Sequence, residues 1–216
     1  MYRLIKAESF KLSKKLKSWL GPILIMILVL IAFPLSIDIS QYDLDKFYFS
    51  IIVVSLLMTS FVATEGMFEE DFEDGTLEQE FLIENDFYRL SLSKVAVYVC
   101  LIGIPMAFIG ALFSFANGVA ITSFAKVFLL LILSNLLLFN LFAFGNALSI
   151  NKGAMLGVLS SLPLALPVII LLGRAIRSIQ YGDGFFSIAV LMIGIGLIIS
   201  AIMPLIVSAA LKTHID

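Results

Sequence analysis

The sequence predicts an all-α integral membrane protein: six membrane-spanning helices preceded by an amphipathic helix lying along the membrane surface. Three observations carry this. Hydrophobic residues make up 61% of the 216-residue chain and charged residues 14%, against about 45–50% and about 25% in soluble domains. The apolar residues gather into six runs of the length a bilayer requires, about 20 residues. Ten of the sixteen acidic residues fall in one 22-residue stretch, Glu65 to Asp86, between the second and third runs.

The chain opens on Tyr2, Ile5, Leu12, Leu16 and Trp19 at helical spacing, with lysines over the remaining surface. Residues 1–18 therefore read as a basic amphipathic helix at the membrane interface. Two roles stay open for it: an anchor that fixes topology, or a lever between membrane and a soluble partner. The spans follow as Trp19–Ile37, Phe47–Thr64, Val95–Ala116, Phe124–Ser149, Ala154–Gly173 and Phe185–Ala210. The first is too long for a signal peptide and lacks a small-residue cleavage site, so it reads as a retained signal anchor. With the N-terminus inside, ten Lys and Arg face the cytoplasm and four the far side, which favours both termini inside. The acidic stretch is then cytoplasmic.

That stretch cannot lie in lipid. A single carboxylate at the centre of a spanning helix costs about 2.5–3.5 kcal/mol, so ten of them require water or a protein surface. The second span is expected to continue as helix through Glu65 to Asp74. Gly75 can take the left-handed conformation that ends a helix. Thr76-Leu77-Glu78-Gln79 matches a capping box, with Thr76 at N-cap and Gln79 at N3. Leu77 and Phe81 share a face, with Leu82 beside them. The stretch reads as a solvated acidic face or a docking element. The interspersed Phe68, Phe72, Leu77 and Phe81 favour docking, because anchors of this type carry most interface affinity. An EF-hand is excluded by the placement of its glycine and acids, and no metal site is expected.

Elsewhere the chain carries little chemistry. No P-loop, G-x-S-x-G, H-E-x-x-H or CxxC occurs, so no catalytic residue is proposed and the chain cannot bind ATP by a P-loop. The single Cys100 cannot form an intrachain disulfide. His214, the only histidine, reads as a solvated tail residue. No basic surface suits nucleic acid. All six prolines lie in or beside spans; Pro34, Pro163 and Pro167 are candidates for kinks or a transport path, with Pro163 and Pro167 expected to open one helix twice. Gly153-x-x-x-Gly157 allows close helix packing.

These residues together resemble the CcmB family, the haem exporter protein B membrane subunit of the cytochrome c maturation system. The most specific part is Glu65-x-Met67-Phe68-x-x-Asp71-Phe72-Glu73-Asp74-Gly75-Thr76-Leu77-Glu78-Gln79. Phe33-Pro34-Leu35-Ser36, Gly145-Asn146-Ala147-Leu148, Lys152-Gly153, Leu162-Pro163-Leu164 and Pro167-Val168-Ile169 also fit. The pattern departs after Gln79, where this chain has Ile83-Glu84-Asn85-Asp86 in place of a proline-containing turn.

The resemblance implies one exporter-type ATP-binding-cassette permease domain over residues 1–216, with residues 65–94 as its cytoplasmic coupling loop. It also implies pairing with a second copy of itself and with a separate ATPase subunit that holds the ATP. A haem-holding membrane subunit, a small single-span subunit and, indirectly, a haem chaperone would complete the complex in a bacterial or mitochondrial inner membrane. ATP hydrolysis would drive haem export or release of the loaded chaperone, with no haem bound directly by this chain. The implied ATPase contacts are Glu65, Phe68, Glu69, Asp71, Phe72, Asp74, Gly75, Thr76, Leu77, Glu78 and Gln79. Among them Glu69, Asp71, Asp74 and Glu78 meet basic residues, Phe72 and Leu77 anchor, and Gly75 and Thr76 set the bend. The rival function is a membrane scaffold that recruits a cytoplasmic partner and moves nothing.

Overall fold

A computed structural model describes residues 1–36, 44–84, 86–150, 152, 154–181 and 184–214. The described residues form helices and the turns between them, with no strand. In order these are α1 (Tyr2–Lys14), α2 (Leu16–Ser36), α3 (Leu44–Thr64), α4 (Glu69–Glu73), α5 (Thr76–Glu84), α6 (Tyr88–Tyr98), a π-helical turn (Val99–Gly103), α7 (Ile104–Ala116), α8 (Ile121–Ser149), α9 (Ala154–Tyr181) and α10 (Phe185–Lys212). Six segments are long and apolar enough to cross a membrane: Ser18–Ser36, Tyr48–Glu73, Tyr88–Ala116, Ile121–Ser149, Ser160–Ile179 and Phe185–Lys212. Each overlaps one of the six expected runs, though Tyr48–Glu73 and Tyr88–Ala116 extend beyond theirs and Ser160–Ile179 is displaced toward the C-terminus of its run. Ile37, Asn85 and Gly153 of the sequence reading lie outside the described residues.

Helix α8 is the hub. It packs against α3, α7, α9 and α10 and is the most enclosed span, whereas α2 and α10 are the least. Lipid tails are as apolar as leucine, so spans are held by close packing and polar contacts rather than by exclusion of water. The α8–α9 seam illustrates the first. A Cβ on Gly145 would lie 2.6 Å from the Gly157 carbonyl oxygen, and one on Gly157 would lie 2.9 Å from that of Gly145. Gly157 is thus a close-packing glycine, as its spacing suggests, but its described partner is Gly145.

Polar contacts supply the second. Ser55, Thr59, Thr64, Ser114 and Ser134 are buried and donate their hydroxyls to carbonyls four residues back, which satisfies them within their own helices. Asn135 does more. Its amide donates to the Gly103 carbonyl at 2.9 Å and its oxygen accepts from Ser60 at 3.1 Å, tying three spans at one buried point. The Gly103 carbonyl sits in the π turn. Pro105 just beyond cannot donate to the Leu101 carbonyl and its ring crowds that oxygen, and a local widening relieves both.

Three expectations are corrected. Residues 1–18 are not one helix: Lys15, at φ −93° and ψ 74°, ends α1, and Leu16 begins α2. The second span stops at Thr64 rather than running to Asp74, because Gly66 takes φ +69°. Helix α9 runs unbroken through Pro163 and Pro167 rather than opening twice, and both prolines are exposed on it. Pro34 is half-buried within the last turn of α2.

Candidate functional site

The acidic stretch folds into a helix–turn–helix at the end of the bundle that carries both chain termini. Its entry is fixed by two backbone contacts. Gly66 N–H donates to the Asn146 side chain at the end of α8, 3.0 Å away. The Met67 carbonyl accepts from the Lys94 ammonium at 3.0 Å. Phe68 is then fully buried, with that ammonium 5.6 Å from its ring centroid.

One turn of α4 sorts its acids by face. Glu69, Glu70 and Glu73 are exposed, whereas Asp71 is 1% exposed. A buried carboxylate needs a cation, and Asp71 has two: the Lys94 ammonium at 2.5 Å and Lys11 of α1. Lys94 also meets Glu8 of α1 at 3.3 Å, and Lys11 reaches Asp74 at 3.6 Å. Lys15 pairs with Glu70; burial, with repulsion from Lys11, lowers its pKa. Helix α1 is thereby fastened to both α4 and α6.

The bend between α4 and α5 has Gly75 at φ +73°, as expected. The cap differs from the expected box. Asp74 accepts from the backbone N–H of Thr76 at 2.9 Å, so the capping side chain lies ahead of the glycine. The Thr76 side chain donates to the same carboxyl and holds it below the usual carboxylate range, helped by Lys11. Along α5, Leu77 is 1% exposed and Phe81 stacks on Phe87 at 5.4 Å. Glu78 and Gln79 point outward, and Leu82 and Ile83 are 84% and 63% exposed. The exit is tied to α10. Asp86 accepts from the Ser208 hydroxyl and faces Lys212 at 3.5 Å, which together keep its carboxyl below the ordinary range.

His214 is not a solvated tail residue. Its Nε2 lies 3.0 Å from the Ala147 carbonyl, and its ring meets Phe72 edge-on at 6.3 Å. Phe72 is half-buried by this contact.

The stretch is therefore two-sided. Phe68, Asp71 and Leu77 face the chain's own core, and Asp74, Gly75 and Thr76 build the bend. Glu65, Glu69, Glu78 and Gln79 face outward, joined by Glu70, Glu73, Leu82 and Ile83, which pattern reading left unassigned. The buried Lys94–Asp71–Glu8 cluster was also missed. Its one sequence signal is Lys94 itself, the only charge between Arg89 and Lys126. Among the described residues no group of His, Cys, Asp and Glu is arranged to hold a metal.

Six apolar helices around a central span, with one charged helix–turn–helix gathered at the end that holds both termini, define a multi-pass all-α membrane protein of permease architecture. The model of the CcmB protein family matches residues 3–214, and the chain belongs to that family. It is 26% identical to heme exporter protein B of Haemophilus influenzae over 219 aligned residues, covering 99% of this chain and 97% of the relative. The protein of the same name from Pseudomonas aeruginosa is 28% identical over 83% of this chain and 81% of its own length. That of Escherichia coli K12 is 30% identical over 49% and 47%.

Proposed function

We propose that this chain is the membrane subunit of a haem exporter in cytochrome c maturation, one that passes the movement of a separate ATPase into the membrane. The permease is one unit over residues 1–216, with both termini on the cytoplasmic or matrix side. The observation that carries the reading is the two-sided helix–turn–helix. Its outward face offers Glu69, Glu73 and Glu78 beside Leu82 and Ile83, an acidic rim around an apolar pair. Its inward face is bolted through Asp71 to Lys94 of the third span and to α1. A push on α4–α5 is thus transmitted to two membrane segments. Asp71, Asp74, Phe68 and Leu77 act by positioning the loop, and the ATPase meets Glu69, Glu73, Glu78, Gln79, Leu82 and Ile83. The relatives' name, heme exporter protein B, supports export of haem; release of a loaded chaperone is the alternative outcome of the same movement. The chain's single histidine is engaged at the loop, which supports haem being held by other subunits.

The test reverses two outward charges and spares the bend. Glu73→Lys with Glu78→Lys should leave folding and membrane insertion unchanged. Rim charges govern encounter and salt dependence, so association with the ATPase should weaken and lose its salt sensitivity. Leu82→Ala with Ile83→Ala should cost more, about 1–2 kcal/mol per anchor. Normal co-purification of the ATPase and normal cytochrome c assembly in both double variants would defeat this reading.

A further inference from the structure

Behind the ion pairs lies a cavity of about 440 Å³ between the α1–α2 elbow, the end of α3 and α6. This is within the range of about 300–1,000 Å³ that ligand pockets occupy and is far more than one water needs. Its two ends differ in chemistry. One is ionic, formed by Lys11, Lys15, Lys94, Glu8, Glu65 and Glu70. The other is apolar, formed by Pro22, Ile25 and Val62. Ile25 and Val62 lie in spans α2 and α3 and are 41% and 38% exposed, so this end opens at the level where those helices enter the bilayer.

We propose that this cavity is a phospholipid site that takes a zwitterionic headgroup, with the acyl chains leaving over Ile25 and Val62. The charge count sets the class. Three ammonium groups and three carboxylates line the ionic end, so a net anion would meet as much repulsion as attraction. A headgroup carrying both a phosphate and an ammonium matches both signs. Glu65 has no ion pair among the described residues and is the carboxylate free to receive the headgroup ammonium. Lys15, whose partner Glu70 is half-exposed at 54%, is placed to receive the phosphate. The apolar end distinguishes a lipid from a free solute of the same headgroup chemistry.

Gly21 provides the test. It lines the cavity, and a Cβ there would have nothing within 4 Å, so a large side chain can enter without displacing the wall. The full-length chain is reconstituted in nanodiscs of mixed ethanolamine, choline and anionic glycerol phospholipids, and tightly held lipid is counted by native mass spectrometry. Wild type should retain one ethanolamine or choline phospholipid per chain. Gly21→Ala should match it, and Gly21→Phe should retain at least fivefold less while keeping its thermal transition. Val62→Trp, which fills the cavity from the opposite wall, should repeat that loss and serves if Gly21→Phe does not fold. Free glycerophosphoethanolamine should not displace the lipid. Several results would overturn the proposal: no lipid retained by wild type, preference for the anionic lipid, displacement by the free headgroup, recovery of haem in place of lipid, or equal retention in the filled variants.

Discussion

Replacing Lys94 by methionine removes a cation that joins α6, α4 and α1. Lys94 is 3% exposed and Asp71 1% exposed, so the carboxylate left behind cannot be rehydrated without opening the loop. Lys11 stays beside it, but Lys11 is 31% exposed and shared with Asp74. Glu8, 12% exposed, loses its partner as well. Breaking a buried pair from one side costs about 3–5 kcal/mol, a large share of a typical total of about 5–15 kcal/mol. The Met67 carbonyl adds about 1–3 kcal/mol if it finds no other donor. Removing both charges, as Lys94→Met with Asp71→Leu, eliminates the more deeply buried orphan, leaves only Glu8 without its partner, and should cost less than the two single changes added together. The assay is a double-mutant cycle on denaturant unfolding in mild detergent, read alongside protease cleavage between Glu65 and Glu84. A coupling of about 2 kcal/mol or more is expected, with the loop cut readily in each single variant and protected in the double. Additive losses below about 1 kcal/mol would refute the reasoning.

Asp74→Ala removes the cap of α5 and should cost about 0.5–2 kcal/mol, seen as faster amide exchange from Thr76 to Gln79, while Asp74→Asn should retain most of the protection. Because the folded-state pKa of Asp74 is depressed, its contribution is complete above the ordinary carboxylate value of about 3.9 and is lost as pH falls through the lower folded value; exchange in α5 should accelerate only on strong acidification. Gly145→Val forces a side chain into the Gly157 backbone and should cost about 1–3 kcal/mol or more, read as a lowered melting temperature in detergent, with Gly173→Ala, where a Cβ meets nothing within 4 Å, as the neutral control. Asn135→Leu removes the hydrogen bonds that tie α8 to Gly103 and Ser60 and should destabilise by about 1–3 kcal/mol, with Asn135→Gln recovering part of it in the same melt.

Much of this architecture was legible because bilayer thickness imposes one length on every span, and because a dense run of carboxylates can only lie outside lipid. The bend at Gly75 was legible for a similarly local reason, the glycine's access to positive φ. What pattern could not give was direction. Phe68, Phe72, Leu77 and Phe81 look like anchors for a partner until tertiary packing turns Phe68 and Leu77 to the chain's own core and leaves Leu82 and Ile83 outside. Asp71 and Glu70 are adjacent and chemically alike, yet one is buried and the other exposed, because only one faces Lys94 twenty-three positions along. The cap at Asp74 competed with an equally good motif two residues later, and the winner was decided by where α4 ended. His214 has no local signal; it is placed by the return of α10 to the same end of the bundle.

The π turn at Val99–Gly103 acts as a phase offset in the third span. An α-helix advances about 100° per residue, so a wide turn that absorbs one extra residue sets the azimuth of everything after it. Met106, Ala107 and Ala111, all enclosed, and Gly110, which a Cβ would bring within 2.7 Å of Leu131, keep their inward bearing only because of that slip. Deleting the exposed Cys100 would take out the residue that the wide turn absorbs and let the span close as ordinary α-helix with the same inward bearing, whereas keeping Cys100 in an ordinary α-turn would swing the distal half by about 100° and turn Ala107 and Ala111 toward the periphery.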